Sequence, residues 1–414
     1  MIGIGLPQLV AKFNDFNDFS MAVGKIKKIV NNEDVLVAEI NYKNGETECS
    51  AVFKTLNKNP KRPVDKDNVA FEYLVGKFGI NHWVEYFPCF TYTFALYYHN
   101  DEKTHDQIKT LDVRSSDLTG MVHTNGPLES TCSYYGTECL LTQYIRGNLL
   151  ASYYKDDEFV KTELLKVLFV LYQALNALNN KFTHYDFHPS NVILYELPKN
   201  EVFEYKYSDD EGVYCTFKSR YLPKIIDYGR SCCYPVTKQL RQDLCAIKKC
   251  RLPQYDTSTH PDGQYKNHRD VSTCHLGRGL QWLAGPFSYA QERKDFYIDS
   301  SRVNRSHDLR LLASMYISHK RNNAIMRNSA IRKFFEKVKF PLTVQKGPNN
   351  SDNDAAFAME EDTGVEPNTI LNVMDAYHEL LDLVTTHYAK QQYQRHSTHV
   401  IHIKSGSPMR YTPP

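Results

Sequence analysis

The chain has 414 residues, 42% hydrophobic and 24% charged, which is ample for a large core and suggests one to three domains. Lys and Arg number 50 against 48 Asp and Glu, a net charge of +2, so the excess of basic residues needed for wholesale nucleic-acid packaging is missing. Mean hydropathy is −0.52 and no apolar run reaches about 18 residues, which argues against a membrane span; collagen, coiled-coil and largely disordered classes are disfavoured too.

In chain order, residues 1–20, rich in Asn, Asp and Phe, read as a loose leader without the basic and apolar regions of a signal peptide. A β-meander follows. Met21 to Val30 is a strand, Asn31-Asn32-Glu33-Asp34 a turn, Val35 to Tyr42 a second strand, Asn44-Gly45 a tight hairpin turn and Glu48 to Thr55 a third strand. Asp67 to Phe78 reads as a helix. Strands around Cys89–Tyr98 and Cys139–Ile145 flank a polar insert, 100–137. From Asp157 the character turns helical, with Leu164, Leu168, Leu171, Leu175 and Leu178 forming a core stripe. Two short strands, 192–195 and 223–226, enclose an aromatic insert, 196–222, that can itself be a hairpin. Helices return from Ser306 to about Phe340, and Thr369 to Tyr393 is an amphipathic helix. Between them, 346–368 is rich in Asn, Asp and Glu and reads as a loop. The tail, 396–414, is expected to fray.

Ten Cys without a secretory signal point to an intracellular setting and reduced thiols. Cys232-Cys233, Cys245, Cys250 and Cys274-His275 are also zinc-ligand types. Their spacing lacks the paired C-x2-C form, so ordinary thiols are favoured over a structural zinc.

The residues that carry chemistry cluster in His184-Tyr185-Asp186-Phe187-His188-Pro189-Ser190-Asn191, before the strand Val192-Ile193-Leu194, and in Asp227-Tyr228-Gly229, after Lys224-Ile225-Ile226. Upstream, Ala51-Val52-Phe53-Lys54 ends a strand in lysine, and Glu72 lies on the next helix. Asn191 and Asp227 offer hard oxygen ligands for Mg²⁺. Asp186 can accept a hydroxyl proton or orient the hydroxyl, and Lys54, directed by Glu72, can hold phosphate oxygens. Positioning and charge neutralisation suffice for phosphoryl transfer.

This pattern resembles the protein-kinase-like family over about 21–395. The loop matches H-x-D-x-x-x-x-N, Asp227-Tyr228-Gly229 stands where kinases have D-F-G, and Lys54 matches the β3 lysine. The wording around these motifs looks most like serine/threonine kinases of large DNA viruses. The resemblance implies an α+β, two-lobed fold. A β-rich lobe would span 21–147 with the insert 100–137, and a helical lobe 148–395 with the insert 196–222 and the loop 346–368. It implies a hinge at Thr142–Gly147, where backbone groups of Gln143 and Ile145 would meet adenine, and an Asp308 that caps the loop backbone. It implies ATP with Mg²⁺ or Mn²⁺ as cofactors, a protein Ser or Thr hydroxyl as acceptor, and a place in the host cytoplasm or the virion.

The sequence also departs from the family. No glycine occupies Asn31-Asn32-Glu33-Asp34, where a glycine-rich loop would approach phosphates, and its two carboxylates would repel ATP. His188 stands where protein kinases usually carry a lysine; it either touches substrate or phosphate, or packs. Tyr185 replaces an Arg that would bind an activation-loop phosphate, and no A-P-E motif follows. Two alternatives to a protein kinase therefore stand: a small-molecule kinase of the aminoglycoside or choline kinase type, and a pseudokinase scaffold. His184 and Asp308 read as structural. The basic stretch 320–346 reads as a solvated helix face, or as a docking patch for an acidic partner.

Overall fold

In the computed structural model, the described residues are 23–31, 35–44, 47–56, 69–99, 121–123, 137–212, 214–234, 281–284, 295–298, 303–317, 324–338, 369–388 and 397–414. They form a mixed α+β structure. The leader, the Asn32-Glu33-Asp34 turn, the loop 346–368 and the thiols Cys245, Cys250 and Cys274 lie outside them.

Three antiparallel strands open the chain: β1 (Val23–Asn31), β2 (Val35–Asn44) and β3 (Thr47–Leu56). They match the expected meander to within a few residues. A helix, α1 (Val69–Leu74), continues through a π-helical turn (Val75–Ile80) into α2 (Asn81–Val84), running past the expected end at Phe78. Strands β4 (Thr93–His99), β5 (Met121–His123) and β6 (Thr137–Gln143) complete a six-stranded sheet, order β1-β2-β3-β6-β4-β5. Lys54 pairs with Val37 on one side and Leu140 on the other, so β3 is interior and its lysine is carried by a ladder bonded on both edges.

The described residues that follow pack around one helix. Strand β7 (Gly147–Leu149) leads to α3 (Asp157–Thr162), whose Asp156 cap accepts from the Glu158 and Phe159 N–H groups, and then to α4 (Leu164–Ala177). Every α4 residue from Leu164 to Leu175 is buried, Lys166 and Gln173 included, so the leucine stripe understated how fully this helix is enclosed. Lys166 is matched inside by Glu163 at 3.1 Å and the Lys218 carbonyl at 2.8 Å. Strand β8 (Phe182–Thr183) leads to β9 (Val192–Glu196), which pairs with β7. A side chain at Gly147 would meet the Leu194 carbonyl at 2.0 Å; only glycine lets the chain cross there.

The aromatic insert folds as a hairpin, β10 (Glu201–Ser208) and β11 (Tyr214–Ser219), and β12 (Tyr221–Ile225) returns to pair with β9. Strand β13 (Cys232–Cys233) pairs with β8, and β14 (Gln281–Ala284) pairs with β15 (Asp295–Ile298). Helices α5 (Arg310–Ile317), α6 (Ala324–Arg327), α7 (Ser329–Glu336) and α8 (Val373–His387) follow, α8 falling inside the expected 369–393. Among the described residues no helix is long and apolar enough to cross a membrane.

One expectation is overturned outright. The tail does not fray: β16 (Ser397–Lys404) pairs in parallel with β10, and β17 (Ser407–Thr412) pairs back on β16. The sheet β11-β10-β16-β17 packs on α4 and α8, where the rings of Phe169, Tyr207, Phe217 and Tyr377 meet. Ile401 and Ile403 are buried opposite Tyr205 and Tyr207. Their alternation with His402 is short, and their partner strand lies nearly two hundred residues upstream, so nothing local announces the pairing.

Candidate functional site

The expected residues of the site come together where β3, α1, the loop after β8 and the segment after β12 meet. Lys54 Nζ lies 2.6 Å from Glu72 Oε2 and 3.0 Å from Asp227 Oδ1. Glu72 is 5% exposed, whereas the Asp227 side chain keeps 43% of its surface. Burial by itself would lower the Lys54 ammonium, but Asp227 and Glu72 outweigh it, so the lysine stays charged. Burial pushes Glu72 up to about 7 against the pull of Lys54. For Asp227, burial pushes up and Lys54 more than cancels it, so its carboxyl is held below the ordinary range.

The loop after β8 is locked from below. Asp308, in a 3₁₀ turn (His307–Leu309) before α5, accepts from the His184 N–H at 2.8 Å and the Tyr185 N–H at 3.1 Å. His184 is wholly buried: its Nε2 donates to the Ile226 carbonyl at 3.0 Å and its Nδ1 accepts from the Asp186 N–H at 3.3 Å. Burial lowers its pKa and keeps the ring neutral, as that pattern requires. The Ile226 N–H donates to the Asn191 carbonyl at 3.0 Å, which ties the two halves of the site at the residue before Asp227. Tyr228 closes the arrangement: its hydroxyl donates to the Ile225 carbonyl at 2.8 Å and accepts from the Thr91 N–H at 3.0 Å. Two non-glycine residues with positive φ among those described are Tyr185 (64°) and Asp227 (67°). Such strained backbone persists only where the surroundings over-determine it.

Asn191 Nδ2 donates to the Asp186 carbonyl at 2.9 Å, leaving Oδ1 as the atom for a cation. With the Asp227 carboxylate this makes two hard oxygen ligands on adjoining segments. Among the described residues no group of three His, Cys, Asp or Glu forms a cage for a metal. Two protein ligands completed by phosphate and water suit Mg²⁺ better than an all-protein site does, so the donor set fits that ion. Of the residues of zinc-ligand type, Cys232 and Cys233 are buried in β13, while Cys245, Cys250, Cys274 and His275 lie outside the described residues.

Asp186 has partners that sequence reasoning missed. Arg310 Nη1 bonds its Oδ1, Arg230 Nη1 lies 3.3 Å from its Oδ2, and His188 Nε2 lies 3.7 Å from Oδ1. Burial would raise this carboxyl, but the Arg230 and Arg310 guanidiniums hold it well below the usual carboxylate range. Arg310 was legible only as the second residue after Asp308, and Arg230 only as the residue after Asp227-Tyr228-Gly229. His188 Nδ1 accepts from the Ser190 N–H at 3.2 Å and caps a short 3₁₀ turn, Pro189–Asn191. Burial takes its pKa down to about 4, so the ring is neutral near pH 7.

The expected hinge runs from the end of β6 to β7. The Gln143 N–H donates to the Tyr92 carbonyl at 2.8 Å, so that group is already spent within the fold. Ile145 is buried in the link. In the basic stretch, Arg327 pairs with Asp157, Arg332 with Glu336 and Lys337 with Glu379, all at the surface. Lys320, Arg321, Lys339 and Lys346 lie outside the described residues.

No family model matches the chain. A stretch of 167 residues is 29% identical to the Uncharacterized protein 035R of Invertebrate iridescent virus 3, spanning 39% of this chain and 14% of that viral protein.

Proposed function

We propose that the chain is a two-lobed, protein-kinase-like phosphotransferase that uses ATP with Mg²⁺ or Mn²⁺ and phosphorylates a protein Ser or Thr hydroxyl. The observation that carries this reading is Lys54, a charged ammonium held between Glu72 and Asp227, with Asp186 and Asn191 on the neighbouring loop. Lys54 would hold α- and β-phosphate oxygens, and Asn191 Oδ1 and Asp227 would hold the cation. Bound Mg²⁺ supplies charge neutralisation of the phosphates. Asp186 would accept a hydrogen bond from the acceptor hydroxyl and orient its lone pair. A carboxyl held so far down is a poor resting place for a proton, so orientation is favoured over general-base work and the proton leaves to water. The likeness to an iridovirus protein is what supports a viral setting.

The test is transfer of labelled γ-phosphate from ATP to the chain itself and to a generic basic protein, wild type beside Asp186→Asn. Label with the wild type alone is the expected result. ADP release in the presence of metabolites without labelled protein would redirect the acceptor to a small molecule. No turnover and no nucleotide binding would sink the reading in favour of a scaffold.

A further inference from the structure

Phosphoryl transfer gathers negative charge on the oxygens of the moving group, and a site needs a cation there. His188 turns its Nε2 toward Asp186 at 3.7 Å and spends its Nδ1 on the Ser190 N–H of its own turn. Lys54 is engaged on the other side by Glu72 and Asp227. Arg310 is 9% exposed and bonds Asp186 from within α5. Arg230 differs from all three. Its side chain keeps 24% of its surface and meets Asp186 Oδ2 at 3.3 Å. Its backbone is held on both sides: the Ser231 N–H donates to the Tyr228 carbonyl at 3.0 Å, Ser231 Oγ donates to the His184 carbonyl at 3.2 Å, and Cys232 pairs with Thr183. A guanidinium presents several N–H donors in a plane, so one face can stay on Asp186 while another meets phosphate.

Resting on the phosphotransferase reading, we infer that Arg230 is the residue that binds the transferring γ-phosphoryl group and offsets its charge in the transition state. The bond from phosphorus to the β,γ-bridging oxygen breaks and its electron pair leaves with ADP. The bond from phosphorus to the acceptor oxygen forms, and the hydroxyl proton passes to water. Arg230 remains protonated throughout.

The experiment compares wild type, Arg230→Ala, Arg230→Lys and the double variant Arg230→Ala with His188→Lys. Calorimetry measures binding of MgADP and of MgADP with aluminium fluoride, which mimics the phosphoryl group in flight, and turnover is followed alongside. Expected for Arg230→Ala is MgADP affinity within about 2-fold of wild type and loss of about 100-fold both in affinity for the aluminium fluoride complex and in kcat. Arg230→Lys should fall between. The double variant should recover at least about 10-fold, because position 188 faces the same carboxylate and a lysine there restores a cation. Unchanged affinity of Arg230→Ala for the aluminium fluoride complex overturns the inference while leaving the phosphotransferase reading intact. A wild type that binds no MgADP overturns that reading, and the inference with it. Loss of MgADP binding in both Arg230→Ala and Arg230→Lys would make Arg230 a structural residue and also refute the inference.

Discussion

Replacing Lys54 by methionine should make the stability of the protein depend on pH in a particular way. In the wild type, burial has already pushed Glu72 up to about 7 with the ammonium 2.6 Å away. Removing Nζ takes away the strongest influence that lowers it, so in Lys54→Met the carboxyl holds its proton through neutral pH. Glutamate in the unfolded chain titrates near 4.3. A folded-state pKa above that value means the native state binds the extra proton, so stability falls as pH rises, by about 1.4 kcal/mol per unit, until the folded pKa is passed. For the wild type this decline ends near pH 7; for the variant it continues. At pH 6 the gap between them should be only about 1 kcal/mol, since Asp227 is part-exposed and solvent takes over its share of Lys54. Between pH 7 and 8.5 the gap should widen by about 2 kcal/mol. Urea denaturation at pH 6, 7 and 8.5 reads this directly. A gap that stays constant across the three would falsify the claim that Glu72 depends on Lys54 for its charge.

Asp227→Asn should abolish Mg²⁺-dependent turnover while the denaturation midpoint stays close to wild type, because Asn also tolerates the positive φ at this position; undiminished turnover would remove Asp227 from the cation site. A chain ending at residue 395 should lose at least about 3 kcal/mol, from exposing the partners of Ile401 and Ile403; an unaltered thermal midpoint would mean β16 adds nothing to the fold. His307 is 1% exposed, and burial takes its pKa down to about 3. The unfolded chain therefore takes up a proton below about pH 6.5 that the native state refuses, and stability is lost as pH falls. His307→Phe should lose about 2 kcal/mol less than wild type between pH 7.5 and 5. Equal losses would count against that burial.

The parts that announced themselves in the sequence are those whose signal is local. The meander of β1 to β3, the helix carrying Glu72, the leucine stripe of α4 and the insert hairpin all follow from periodicity and turn residues within a few positions. The loop from His184 to Asn191 and the Asp227-Tyr228-Gly229 segment stood out because their residue types are rarely needed together for packing alone. Tertiary structure decided the rest, since it depends on residues far apart in the chain. It pairs β16 with β10, carries a lysine of β3 to two carboxylates, and turns the hydroxyl of Tyr228 onto the Thr91 backbone. It also sets Arg230 and Arg310 on one carboxylate and leaves His188 neutral. Composition lists 50 basic residues, but which of them meets Asp186 is a matter of distance and burial. An electrostatic field is a property of three-dimensional neighbours, which no spacing along the chain specifies.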